Sequence, residues 1–403
     1  MRRTVILLAL LLALGSLAVA AAAEDKASAY TFKFTGYFKG DVVYDRDRVN
    51  TGNYATYVLD KSENDMMSMT ARESRFGLDF SWAENDIRTD ARFEFDFYGL
   101  GASSATNSQE NKAAPMLRHA YMQLTKGHWS ILAGQTGDII SPLVPKTANY
   151  TVLWDQGNIG YRRPQFRIST WAKATERLKV SAAVGAFRTL GGDLDADGVD
   201  DGADSAVPTV EGRVAIAGQC PNRSFEIGFS GHYGTEEYEV LGVTKDVDSW
   251  SGNADLKFTC HDKVELMGEF FVGENLGAYY GGVGQTVNSV KGEIGAMGGW
   301  GEISYKPVDR LWLSVGGGID DPDDEDFVIA EGTTATKSFI DMNTSIFGNI
   351  MYNLTSTVTA MLEVSQLTTT YAYKTYIGDE LKIDKDNDFD DTRIQFSLKA
   401  AIK

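Results

Sequence analysis

The feature that most constrains this chain is an alternation of period two in which one face is apolar and the other charged. Within 31–44, Phe32, Phe34, Phe38, Val42 and Tyr44 share one face, and Lys33, Thr35, Tyr37, Lys39 and Asp41 the other. In 73–82, Phe76, Leu78, Phe80 and Trp82 oppose Glu73, Arg75 and Asp79. In 87–98, Phe93, Phe95 and Phe97 oppose Arg88, Asp90, Arg92, Glu94 and Asp96. Near the other end, Ile394, Phe396, Leu398 and Ile402 oppose Arg393, Gln395, Ser397 and Lys399. So charged a face cannot line a dry sandwich, where an unpaired buried charge costs several kcal/mol. It suits a closed sheet with lipid outside and water inside, because only closure pairs every backbone group in lipid.

Sixteen such segments can be marked, near 30–44, 67–83, 87–98, 115–126, 129–136, 161–173, 178–188, 207–219, 223–234, 249–260, 263–273, 291–305, 310–319, 338–352, 356–371 and 391–402. Short turns alternate with long polar loops near 45–66, 99–114, 137–160, 189–206, 235–248, 274–290, 320–337 and 372–390. The expectation is an all-β protein, a transmembrane antiparallel β-barrel of about sixteen strands with short periplasmic turns and long extracellular loops. Trp82, Tyr98, Trp129, Trp171, Tyr233, Trp250, Tyr305, Trp312, Tyr352 and Tyr371 fall near strand ends, as interfacial girdles require. Segments 115–126 and 129–136 alternate poorly, which fits an outer face buried between subunits.

Arg2 and Arg3 precede an apolar run over 5–19 and small residues over 18–23. That pattern reads as a secretory signal peptide, 1–23, cleaved after Ala23 or alternatively Ala20, leaving 24–403 as one barrel domain. No later stretch approaches the roughly 18 apolar residues of a spanning helix. The net charge of −18 argues against a nucleic-acid partner. Two cysteines are no disulfide framework; Cys220 and Cys260 fall at short turns about 10 Å apart with one strand between. A bridge between them needs distortion and stays open. No CxxCH, G-x-S-x-G or HExxH motif occurs, and four scattered histidines offer no catalytic centre, so the chain does not read as an enzyme.

A barrel of this size leaves a water-filled lumen, whose selectivity depends on its lining. The inward basic residues Lys33, Lys39, Arg75, Arg88, Arg92, Arg163, Arg167, Arg393 and Lys399 lie on neighbouring strands once the barrel closes. The inward acids Glu226, Asp255, Glu265, Glu269, Glu302 and Glu363 lie on the opposite wall. Such an arrangement gives a transverse field and a cationic ladder for carboxylates, which arginine binds in bidentate fashion. The alternative is that these arginines pair with Glu73, Asp79, Asp90, Glu94 and Asp96 and merely solvate the wall. Loop 137–160, with Asp138, Pro142, Pro145, Lys146, Trp154 and Asp155, has the length and apolar content to fold into the lumen and narrow it. An ordinary external loop is the competing reading.

In loop 189–206, Asp193, Asp195, Asp197, Gly198, Val199, Asp201 and Asp204 match the ligand spacing of a calcium loop, with Asp where Glu usually ends it. A solvated acidic loop fits the same residues. The acidic runs 320–326 and 384–391 lack the glycine and read as solvated charge.

Five stretches resemble the DcaP-like trimeric porins: Arg72-Glu73-Ser74-Arg75-Phe76-Gly77, Phe93-Glu94-Phe95-Asp96-Phe97-Tyr98-Gly99, Leu117-Arg118-His119-Ala120-Tyr121, Leu132-Ala133-Gly134-Gln135-Thr136 and Arg162-Arg163-Pro164-Gln165-Phe166-Arg167. The likeness runs over roughly residues 35–170. It implies a sixteen-stranded homotrimer set in outer-membrane lipid and lipopolysaccharide. It also implies uptake of small anionic solutes, such as dicarboxylates and aromatic acids, through an arginine-lined pore. No cofactor is required on this reading. The competing function is structural: a sheath for an electron-transfer partner, or a surface adhesin.

Overall fold

A computed structural model describes residues 30–50, 53–60, 64–99, 113–240, 243–377 and 380–402; the expected signal peptide lies outside them. The chain forms β1 (Thr31–Asp45), β2 (Met66–Thr70), β3 (Arg75–Glu84), β4 (Ile87–Asp96), β5 (Met116–Lys126), β6 (Trp129–Gly137), β7 (Arg162–Thr175), β8 (Leu178–Phe187), β9 (Thr209–Cys220) and β10 (Arg223–Val240). It continues with β11 (Val243–Cys260), β12 (Val264–Glu274), β13 (Val287–Asn288), β14 (Gly292–Glu293), β15 (Gly295–Val308), β16 (Leu311–Pro322), β17 (Lys337–Asn353), β18 (Val358–Ile377) and β19 (Glu380–Ala401). Apart from the small β13–β14 hairpin, these strands make one 17-stranded sheet. β2 and β3 both pair with β1 and are halves of a single stave, so the barrel has sixteen staves. β1 closes it against β19, from Tyr37↔Ala401 to Asp45↔Arg393.

The faces segregate as the alternation requires. Phe229, Val214 and Ile346 are more than half exposed on the outer face, whereas Glu211, Ser345 and Glu363 are buried inside. An apolar exterior around a polar interior is stable only in a bilayer, and a closed antiparallel barrel of this size is an outer-membrane structure. No helix among the described residues is long and apolar enough to cross a membrane.

Three features depart from the sequence reading. The segments 235–248 and 372–390 are not open loops. β10 and β11 stay paired up to Val240↔Val243, and β18 and β19 up to Ile377↔Glu380, so both hairpins continue beyond the apolar band. Of the expected girdle, Tyr98 stacks inward on Tyr150 and Tyr371 is buried. Trp171 and Trp312 also turn inward, beneath the Lys179 and Lys146 ammonium groups. The poor alternation of 115–126 has a local cause. Glu94 pairs with His119 and Phe95 with Leu117, so Arg118 is an extra, unpaired residue in a β-bulge. The bulge switches parity and aims Arg118 at the lumen.

Cys220 and Cys260 are both free thiols. Each lies opposite Arg223 from a different side, so β10 separates them.

Candidate functional site

The lumen is shaped by the segment 138–161, which joins β6 to β7 and folds back inside the barrel. Its first arm follows the inner wall strand by strand. The Ile139 N–H donates to Glu211 on β9 at 2.9 Å, and the Leu143 N–H to Glu269 on β12 at 2.7 Å. The Lys146 N–H donates to Glu302 on β15, and the Ala148 N–H to Glu363 on β18, each at 2.6 Å. Carbonyl oxygens are held from the same side. Asn349 Nδ2 reaches the Lys146 carbonyl at 2.6 Å, and Gln395 Nε2 and Lys39 Nζ reach that of Ala148 at 2.9 and 2.8 Å. Buried amides must be paired, and here wall side chains supply what a strand neighbour would.

The return arm rests on glycine. A Cβ on Gly318 of β16 would lie 2.0 Å from the Gln156 oxygen. One on Gly157, whose φ is +109°, would lie 2.2 Å from the Gly299 oxygen of β15. Backbone meets backbone there, which no larger residue permits. Trp154 stacks on Tyr280 with centroids 4.5 Å apart, and the Gln156 amide donates to the Thr56 carbonyl at 2.8 Å.

The four expected residues of this loop are structural anchors. Asp138 pairs with Arg163 at 3.0 Å at its root, and Lys146 forms an ion pair with Glu265. Trp154 is buried, as is Asp155, whose N–H donates to the Tyr280 carbonyl at 3.0 Å. Burial without a neighbouring cation pushes the Asp155 carboxyl up to about 7.

The acidic wall is therefore mostly covered. Glu269, Glu302 and Glu363 are buried beneath the loop, with their oxygens accepting its N–H groups. Asp255 and Glu226 take the Arg213 guanidinium at 2.6 and 2.8 Å, and Glu265 takes Lys146 and Lys257. Of the basic set, Lys39, Arg163 and Arg393 are buried with the loop or wall, Arg393 against Asp45 at 2.8 Å. Arg163 lies over the Tyr279 ring at 3.8 Å, and Lys399 over Tyr37 at 3.9 Å. Lys33 is exposed on β1, and Arg88 is exposed and paired with Asp90 at 2.8 Å.

Open space remains on the other side, between the loop and β3 to β8. One cavity of about 410 Å³ is bounded by Tyr37, Arg75, Arg118, Tyr150, Tyr161 and Arg162. A second of about 410 Å³ is bounded by Gln123, Arg167, Lys179, Arg213 and Pro142. Arg75 is held 3.6 Å from Glu94, Arg92 pairs with Glu94 at 2.5 Å, and Arg118 donates to Asp96 at 2.7 Å and Tyr150 at 2.8 Å. The arginines are thus partnered on the wall side. No ion pair within 4 Å holds Arg162 or Arg167 among the described residues; Arg162 instead stacks on Tyr161 at 4.4 Å and faces Trp154 at 5.7 Å.

Arg118 and Arg162 are absent from the ladder read in the sequence. The bulge hides the first, since strict alternation cannot place two consecutive inward residues. The second precedes Arg163 and so has outward parity, yet the aromatic residues Trp154 and Tyr161 nearby were a signal for a stacked guanidinium. Elsewhere, Asp320, Asp326 and Asp391, read as solvated charge, are buried. They accept the N–H groups of Gly282, Gly295 and Asp47 at 3.0, 2.8 and 2.9 Å.

No protein-family model matches the sequence, and no curated protein matches it. Solved structures do share its architecture. The outer-membrane channel DcaP of Acinetobacter baumannii superposes with a TM-score of 0.68 at 17% identity, covering 95% of this chain and 100% of that one. An anion-selective porin from Comamonas acidovorans gives 0.57 at 11% identity, covering 93% and 100%. In-vitro folded OmpT of Vibrio cholerae, in a trimer form, gives 0.52 at 12% identity, covering 93% and 100%. The fold is that of the porins.

Proposed function

We propose that this chain is an outer-membrane porin, not an enzyme, through which small anionic solutes such as carboxylates diffuse passively. The observation that carries this reading is the one-sided closure of the lumen. The loop 138–161 covers Glu269, Glu302 and Glu363 and leaves open the side bearing Arg75, Arg118, Arg162 and Arg167. Guanidinium groups set among tyrosines suit planar carboxylates, which they hold by two parallel hydrogen bonds. The anion-selective porin among the similar structures supports the same sign of preference. We also assign a homotrimer embedded in outer-membrane lipid and lipopolysaccharide. Support comes from the trimeric neighbour and from the outward patch of Phe32, Phe80, Phe76 and Phe95, whose rings lie 5.3 and 5.9 Å apart in pairs. The loop inside the lumen counts against a sheath, which needs a clear bore.

The test is planar-bilayer conductance of the refolded protein, with the reversal potential read in a KCl gradient. Anion-selective openings grouped in threes are expected. Cation-selective openings would sink the anion preference, and silence from a folded barrel would return the sheath or adhesin reading.

A further inference from the structure

The segment 188–208, between β8 and β9 at the long-loop end, takes no part in the pore, yet it carries six aspartates and no glutamate. Asp193, Asp195 and Asp197 bring carboxylate oxygens within 4.8 Å of one another. The backbone wraps around them. The Gly198 N–H donates to Asp193 at 3.4 Å, the Asp197 N–H to Asp195 at 3.2 Å, and the Val199 N–H to Asp197 at 2.7 Å. Gly198 has φ +89°, the left-handed region that a sharp turn at the sixth position of such a loop demands. These bonds fix a shape but do not themselves require an ion.

Asp201 does. Its side chain is fully buried at the start of a single helical turn, Asp201–Asp204. One of its oxygens, Oδ2, accepts the Leu194 N–H at 3.0 Å, which turns the carboxylate onto the stretch between Asp193 and Asp195. The other, Oδ1, is buried with no hydrogen-bond donor. No ion pair within 4 Å joins a lysine or arginine to Asp193, Asp195, Asp197, Asp201 or Asp204 among the described residues. The loop's one ion pair, Arg188 with Asp200 at 3.5 Å, goes to a residue that caps the helical turn instead. Three converging carboxylates, a buried Asp201 oxygen without a donor and no paired cation together suit a site completed from solution.

We propose that 193–204 binds one calcium ion. Asp193, Asp195, Asp197, Asp201 and Asp204 supply carboxylate oxygens, and Val199 its carbonyl. All donors are oxygen, which selects a hard cation. Their number and their placement on a pliant loop suit the six to eight ligands of calcium better than the strict octahedron of magnesium. The ion also ties the loop to its neighbour, because Asp195 Oδ2 accepts the Glu239 N–H of β10 at 2.7 Å.

The experiment is isothermal titration of CaCl2 into the decalcified full-length protein, refolded in zwitterionic detergent free of lipopolysaccharide. Saturable binding of one calcium per chain is expected. D195N/D197N and D201N should each weaken it at least ten-fold, whereas D388N, in the acidic hairpin β18–β19, should leave it unchanged. Heat-modifiable mobility on gels confirms that each variant barrel has folded. The proposal is overturned if the wild type shows no saturable heat, if D195N/D197N binds as the wild type does, or if magnesium binds as tightly as calcium. This reading stands apart from the pore, so either can fail without the other.

Discussion

Glu363 on β18 accepts the backbone N–H of Ala148, 215 positions earlier in the chain, at 2.6 Å. The same carboxylate takes the Asn149 N–H at 3.3 Å and the Asn349 amide at 3.0 Å. An acid that formal charge assigns to the pore wall is therefore committed to fixing the loop. Replacing it by alanine strands buried N–H groups, at about 1–3 kcal/mol each. E363A should therefore loosen the first arm. The expected outcome is larger, noisier single-channel current from a barrel that still refolds; quiet wild-type current would show that the other acids suffice.

The open side of the lumen should set the sign of selectivity. A unit charge about 4 Å from a permeating ion is worth about 1 kcal/mol in water and more where water is excluded. R75Q and R162Q should each lower anion permeability and raise cation permeability by roughly five-fold apiece, a fall of about thirty-fold in their ratio on that arithmetic. Glu94, beside Arg75, then gains influence. Reversal potentials in a KCl gradient check this, and unchanged values would remove these residues from the permeation path.

Gly318 offers a steric test that leaves charge alone. With the Gln156 oxygen 2.0 Å from where a Cβ would sit, G318V must push the return arm away from β16. Higher conductance is expected with unaltered heat-modifiable mobility. A milder effect is expected of G252V, since nothing lies within 4 Å of a Cβ there.

Asp155 gives the loop a pH dependence. Its carboxyl, ordinarily near 3.8, is held near 7 by burial, which disfavours the ionised form by on the order of 4 kcal/mol. When the loop leaves its seat the group returns to its usual range, so undocking grows easier as pH rises from about 4 to about 7 and changes no further above that. Channel noise should be greater at pH 8 than at pH 5. D155N should abolish the difference and be quieter at pH 8; an equal pH response in D155N would exclude this group.

All sixteen staves were legible in the sequence, because each carries its own record of lipid on one side and water on the other. Phe93, Phe95 and Phe97 against Arg92, Glu94 and Asp96 suffice for β4 without reference to any other strand. The same logic explains the failures. Above the apolar band no face of a strand meets lipid, so Glu236, Glu237, Glu239, Lys245 and Asp246 read as a loop although β10 and β11 are paired there. Arg118 was lost to the bulge at Glu94/Phe95, a choice made by two strands together. The fates of Glu269, Glu302 and Glu363 depend on which wall the loop lies against. That depends on residues far away in the chain, as the seating of the return arm depends on Gly318, and no local pattern records it.

The prolonged hairpins change what a solute meets first. At about 3.4 Å per residue and a tilt near 40°, a strand as long as β18, 20 residues, rises roughly 50 Å, about twice the height of the apolar band. Asp384, Asp388 and Asp390 are exposed along its partner β19, the last two with the outward parity of Ile394, while Glu380 is paired with Lys382. An anion bound for Arg75 and Arg162 thus approaches a molecule of net charge −18, whose projecting acids form a negative palisade around the mouth rather than across it. At physiological ionic strength that repulsion fades within about 8 Å, and in dilute medium it reaches about 30 Å. The surroundings then govern arrival more than the bore governs passage: uptake quickens with added salt until the palisade is screened, the reverse of what a basic pore alone would give.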